Sequence, residues 1–292
     1  MNSREVGQQL RAYRMESGLK AEDISARLGI SRAALYRYEK GEVIKLETLT
    51  RLAELLKISP LTLMGVGIEY FDKPISFQKR LRQTEGLSDQ ILQFFGPVCY
   101  LLTSERYDSI LSQILEEHVS ATAADPQTAL AEAQELIALM LSRKKTYSTR
   151  KPMVIAILTC ASVQQFLANG LAPLAQISND TRKLAQKVAR EEIEQIACLM
   201  ESEPLGLQLG VIPKGEANGP FTLFRTRDRA ELALNPFPSD ALPHSATGVA
   251  MITSTDDAIA AHQHAFEQIW PASVKGLTAA RLIRDLIMET GT

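Results

Sequence analysis

The stretch "GISRAALYRYEKGE" (Gly29–Glu42) decides how the first quarter of this chain is read. Gly29 permits the positive φ of a tight turn. Ser31 then offers a hydroxyl to a backbone N–H of the next turn, which predicts that a helix begins there. Along that helix Leu35 and Tyr38 fall on one face and point inward. Arg32, Tyr36 and Arg37 fall on the other, and Gly41 closes the helix.

Reading outward, Val6, Leu10 and Tyr13 are spaced by four and three, predicting an amphipathic helix over about 4–17 that Gly18 ends. A second helix follows over about 21–28, with Ile24 and Leu28 one turn apart on its buried side. Downstream, "LETLTRLAELL" predicts a helix over about 46–56 that buries Leu49, Leu52, Leu55 and Leu56. Pro60 suits the first turn of a short fifth helix. Two short helices joined by a glycine turn have helix-turn-helix geometry, in which the second helix enters the major groove of DNA. The same spacing also fits a helical bundle whose polar face is only solvated.

The residues themselves favour the first reading. Arg14 four residues before Gly18, "ISARLGIS", the Glu39–Gly41 pair and "LETLTRLAELL" occur in order. On them, residues 6–65 resemble the Cro/CI-type (Xre) helix-turn-helix family, over less than a quarter of the chain. The resemblance implies that Arg32, Ala33 and Arg37 face bases, and that Ser31, Tyr36 and Lys40 meet phosphate or sugar. It also implies a buried ion pair of Arg14 with Glu39, tying the first helix to the third. Two departures stand out. Ala21 occupies a position where the family usually has glutamine, and the loop "GEVIKLE" lacks the usual proline and is one residue short. An arginine suits base reading because its planar fork spans guanine O6 and N7.

The 292 residues are 45% apolar and 23% charged, the composition of a folded chain with room for two domains. The net charge of −2 is uneven. Residues 1–67 hold 11 Lys/Arg and 8 Asp/Glu, net +3, and the remainder 21 and 26, net −5. A basic head has the sign a DNA reader needs. Neither a secretory leader nor an apolar run long enough for a membrane is visible, and Cys99, Cys160 and Cys198 follow no CxxC spacing. The expected setting is therefore a reducing cytoplasm.

Three segments are expected: a helix-turn-helix domain at 1–66, a helical linker at 67–96, and a mixed α/β domain at 97–292 for effector sensing and dimerisation. The fold class is α+β, a five-helix head before one sheet covered by helices. In the linker, Phe77, Leu81, Leu87, Ile91, Leu92 and Phe95 form a stripe for a partner helix or for the chain's own second domain. Beyond it, "PVCYLLT", "MVIAILT", "LGLQLGVIP", "FTLFRTR", "AELALNPF" and "GVAMIT" read as strands, with a turn near Asp228 and Arg229. Helices are expected at about 105–121, 126–145, 161–170, 180–201, 256–269 and 275–289. This order loosely resembles the phospholipase D-like fold of some regulators. His244, however, lacks the lysine of that family's HxKxxxxD signature, so the likeness implies no such catalysis.

Other chemistry is sparse. His262 and His264 point about 200° apart on a helix and cannot share a metal. Cys160, after a strand end, reads as a thiol sensor or, more simply, as a buried inert cysteine. "SRKKTYSTRK" (Ser142–Lys151) holds an anionic effector, touches DNA or, more simply, is a solvated helix end. "KGEANGPF" reads as a hairpin loop. The expected function is a transcriptional regulator binding a double-stranded operator as a homodimer, under control of a small-molecule effector. It has no catalytic residues, no metal, no cofactor and no membrane partner. The alternatives are an enzyme with a DNA-binding head and an antitoxin-like protein-docking regulator.

Overall fold

The structure is a computed structural model describing residues 3–64, 67–172, 175–214, 219–237 and 248–290. It divides into two compact units: residues 1–69 with 253–256, and residues 70–252 with 257–292.

The first unit contains five helices: α1 (Ser3–Glu16), α2 (Ala21–Leu28), α3 (Arg32–Glu39), α4 (Leu46–Leu56) and α5 (Pro60–Leu63). Their apolar faces converge on one core in which Leu10, Ile24, Leu35, Leu52 and Leu63 are fully buried. Local chemistry fixes the element ends. Gly29 takes φ 68° at the end of α2, and Ser59 caps α5 by accepting from Thr62 N–H. Gly7 has a different role. A Cβ there would strike backbone atoms of Tyr38, Glu39 and Gly41, so α1 crosses the end of α3 with room for glycine alone.

The second unit is built on an eight-stranded mixed sheet. Its elements begin with β1 (Ile68–Phe71), α6 (Pro74–Leu87) and β2 (Gln90–Phe94). There follow α7 (Glu105–Thr122), α8 (Pro126–Arg150), β3 (Met153–Thr159), α9 (Cys160–Asn169), α10 (Asn179–Ser202) and β4 (Leu207–Ile212). The chain continues through β5 (Phe221–Arg225), β6 (Ala230–Leu234), β7 (Ala250–Thr253), α11 (Asp256–Ala272), β8 (Val274–Lys275) and α12 (Gly276–Glu289). The strand order is β1-β7-β6-β5-β2-β3-β4-β8. Strands β2, β3 and β4 run parallel, while β5 is antiparallel to β2 and β6 to β5. The larger core joins α6–α10 and α12 to one face of the sheet, through residues such as Ile91, Phe95 and Val154. The smaller joins α11 to the other, through Leu92, Phe94 and Ile157. The fold is α+β, a helical head followed by a larger mixed domain.

Three expectations require correction. Residues 67–96 are not a helical linker: they supply β1, α6 and β2, and β2 lies between β5 and β3. The stripe from Phe77 to Phe95 packs inside the body, with Phe77, Leu81, Ile91 and Phe95 in its main core. Second, "PVCYLLT" is not a strand. Gly96 and Pro97 end the extended chain, and Leu102 and Thr103 donate back to Cys99 and Tyr100 in a short 3-10 turn (Tyr100–Leu102). The strand is the preceding "QILQF". Third, the segment containing "KGEANGPF" is no hairpin, because β4 and β5 are not neighbours; residues 215–218 lie outside the described ones.

Candidate DNA interface and a cavity in the body

Helix α3 begins where Ser31, in extended conformation, accepts from Ala34 N–H at 3.1 Å. From there the helical period sorts its side chains. Leu35 and Glu39 are buried, while Ser31, Arg32, Ala33, Tyr36, Arg37 and Lys40 are all exposed and share one face. Tyr38 packs against the core. Because the Ser31 oxygen accepts the capping bond, its hydroxyl hydrogen is left to donate.

Electrostatics on this face are local. Arg32 Nη1 pairs with Glu22 on α2, and Arg37 Nε sits 2.8 Å from Glu42. Both arginine side chains remain about 60% exposed (61% and 62%), so water screens these pairs and a phosphate or base edge can replace the carboxylates. On the opposite side, Arg14 grips Glu39 through two bonds of 2.5 and 3.1 Å. The side chains are 16% and 5% exposed, so this pair is held away from solvent. The Arg14 guanidinium is pushed further up by its hydrogen bond to Glu39, against the opposing effect of burial. The pair fixes α3 to α1, and Gly7 sets how closely the two approach.

The body carries a cavity of about 350 Å³. Its floor is the helix-facing side of β2 and its far wall is α8. Gly96, Pro220 and Pro236, where β2 and β6 end and β5 begins, also line it. Strand order reverses at β2: the chain moves through β3 and β4 on one side, then returns to β5 and β6 on the other. Crevices beyond strand ends at such reversals are where α/β sheets hold ligands.

The basic run Ser142–Lys151 is not merely a solvated helix end. Arg143 lies in the cavity wall, buried, with bonds to Glu85 of 2.8 and 2.5 Å and a further bond to Gln78. Burial alone would depress its guanidinium, but Glu85 outweighs burial and raises it. Lys144 binds Asp108 at 2.6 Å and lies over the Tyr100 ring at 4.6 Å, where burial lowers its ammonium pKa. Sequence reading missed Gly7, Gln78, Glu85 and Gln93. Only Gln93, a polar residue between the apolar Leu92 and Phe94, left a trace.

The remaining candidates are accounted for locally. Burial pushes the Cys99 thiol up to about 12 and raises that of Cys160, leaving both protonated and poorly nucleophilic near neutrality. Cys198 is exposed. His262 Nδ1 lies 2.8 Å from Ala258 O and its ring meets Phe221 edge-on. No group of three His, Cys, Asp or Glu among the described residues is arranged to hold a metal. His244 lies outside the described residues. No described helix is long and apolar enough to cross a membrane.

Comparison with known proteins bears on the head. Residues 5–63 match the family described as helix-turn-helix domain. The N-terminal region is therefore a helix-turn-helix DNA-binding domain, with α2 and α3 as its two helices. A search of curated proteins returns no match. Among solved structures, the chain is similar to TrmBL2, an archaeal chromatin protein whose structure shows a novel mode of DNA binding. The TM-score is 0.34 at 11% identity, over 78% of this chain and 61% of that one. This chain thus spans under two thirds of that protein's length, and a likeness so low leaves the family match to stand alone. Nothing in these comparisons supports the phospholipase D-like reading of the body.

Proposed function

We propose that the chain is a transcriptional regulator of the Cro/CI type that binds a double-stranded operator as a homodimer. A small-molecule effector held in the body modulates its affinity. The observation that carries this reading is the face of α3: six exposed side chains, donor-rich and net positive, in a domain matched to a DNA-binding family. Arg32, Ala33 and Arg37 are the base-facing residues, with Ala33 small enough to admit a thymine methyl. Ser31, Tyr36 and Lys40 hold the backbone of the duplex. A homodimer follows from the size of the reader, since one eight-residue helix spans only a few base pairs and useful affinity needs two. The cavity in the body supports an effector, and no chemical step is assigned to the chain. Its expected place is the cytoplasm.

Selection from a randomised operator library at two salt concentrations tests the reading face. Arg32→Ala or Arg37→Ala is expected to cost about 1–3 kcal/mol and to relax preference at one operator position. Lys40→Ala should instead weaken all sequences alike and make the salt dependence shallower. If both arginine variants weaken every sequence equally, they hold phosphate and the assignment is wrong.

A further inference from the structure

We propose that the cavity beside β2 binds an uncharged, planar aromatic molecule bearing a carbonyl oxygen. This inference deepens the effector reading above and rests on it.

Four features of the cavity carry it. The first is its walls: seven of the chain's nine phenylalanines line it, so it is an aromatic chamber and not a gap between aliphatic side chains. Its volume of about 350 Å³ is within the range of pockets that take small ligands, whereas packed interiors leave few voids larger than a water.

The second feature is charge. Among the described residues lining the cavity, Arg143 and Glu85 alone are charged, and they neutralise each other through two bonds. A carboxylate ligand competing for Arg143 would leave Glu85 buried beside it without its partner. An ammonium competing for Glu85 would strand Arg143 in the same way. Either exchange is costly for side chains so deeply buried, so the arrangement selects against net charge.

The third feature is an excess of donors. Gln78 turns its oxygen to Arg143, which points its NH2 elsewhere, and that NH2 makes no hydrogen bond among the described residues. Gln93 uses its oxygen to accept from the Cys99 thiol at 3.1 Å, and Asn235 uses its own to accept from Phe237 N–H at 3.0 Å. Their NH2 groups are likewise left over. None of these NH2 groups is a sealed atom without a partner; among the described residues only Ser25 Oγ is, so the amides lining the cavity stand open to solvent, where an acceptor that enters can take the bonds now left to water.

The last feature is the position of Gln93. It stands between Ile91 and Phe95 on the helix-facing side of β2, paired in register with Ala156 and Thr222. Packing at such a position favours an apolar residue, and an amide there is explained by a ligand oxygen above it. A carbonyl on a flat ring meets all four conditions. A sugar would supply oxygens but no face for the phenyl rings, and a fatty chain would supply apolar surface but nothing for the donors.

The test uses the full chain with methyl-labelled methionine, because Met140 lines the cavity and its methyl group reports occupancy directly. Quinolin-2-one is the probe, with benzoate as a charged aromatic and glucose as an uncharged polyol. The Met140 signal, assigned by Met140→Leu, is expected to shift with quinolin-2-one. Benzoate should bind about tenfold more weakly and glucose should leave the signal in place. Gln93→Leu, which keeps the size of the side chain, should weaken the probe about tenfold. No shift with quinolin-2-one, equal or tighter binding of benzoate, or a shift with glucose overturns the proposal. The wild-type ranking decides it alone should Gln93→Leu not fold. Operator affinity measured with and without probe separates this inference from the one beneath it. Probe binding with unchanged DNA affinity supports the cavity ligand and removes the effector role. Intact DNA binding with no probe bound overturns the cavity ligand alone.

Discussion

At the scale of single residues, α3 is held by two that lie on its inward side. Glu39 supplies the buried carboxylate that Arg14 grips, and Gly7 supplies the absence of a side chain that lets α1 approach α3. Removing Glu39 leaves a guanidinium that is only 16% exposed without its counter-charge. Glu39→Ala is therefore expected to cost roughly 3 kcal/mol, the lower end for a buried pair, because Arg14 retains some water. Gly7→Ala acts by a different route. Its Cβ meets backbone atoms, which cannot rotate away as a side chain would, so a cost of about 1–3 kcal/mol from overpacking is expected. Hydrogen exchange of the α1 and α3 amides in the full chain reads both variants. Undiminished protection in Gly7→Ala would show that the two helices have slack between them. The ion pair was legible because both partners belong to a recognisable pattern. Gly7 was not, since nothing in "EVGQQL" tells a glycine required for close approach from one merely tolerated in a helix.

At the scale of elements, the attachment of α6 to the sheet shows how pH enters. Arg80 on α6 reaches Glu231 on β6 at 2.9 Å, and Thr84, one turn later, donates to the other carboxylate oxygen at 2.9 Å. Burial by itself would raise the Glu231 carboxyl, but Arg80, Arg229 and Thr84 together outweigh burial and hold it below the ordinary glutamate range. A carboxyl with a lowered folded value binds protons more readily in the unfolded chain. Its contribution is thus present at neutral pH and is lost as pH falls below about 4.5. Glu231→Gln should destabilise the body by about 3 kcal/mol at neutral pH and flatten the acid limb, the two curves converging at low pH. Thermal melts across the acid range decide it; parallel curves would mean that Glu231 contributes no pH dependence. The elements themselves were unequally legible. Helix α4 was read with its observed ends because its apolar period is clean and its flanks are distinct. "PVCYLLT" is short and apolar while "QILQF" carries two glutamines, and neither run has an internal sign of which one pairs. Pairing is decided by β5 and β3, whose register with β2 is a long-range fact. Between an anion or DNA contact and a solvated helix end, the sequence could not place Arg143 for the same reason, its partner Glu85 lying 58 positions away.

At the scale of the molecule, two features combine: a reader of one short helix and a body far larger than reading requires. A lone α3 face offers too few contacts to select one site among the many in a genome, and the remedy is two-fold symmetry. If the chain acts as a homodimer, its two α3 helices must meet the same side of the duplex, which fixes half-site spacing to whole turns of about 10 base pairs. The consequence is periodic and can be measured. Inserting about half a turn, roughly 5 base pairs, between half-sites should carry one of them to the far side and cut affinity by at least about a hundredfold. Inserting a full turn restores the facing, and affinity recovers as far as the dimer can stretch. Titration of the three operators with full chain, alongside sedimentation equilibrium at the same concentrations, separates the possibilities. A dimer with periodic affinity supports the arrangement. A monomer in solution that occupies all three operators alike would mean that each head reads DNA alone, and the size of the body would then need a purpose other than pairing.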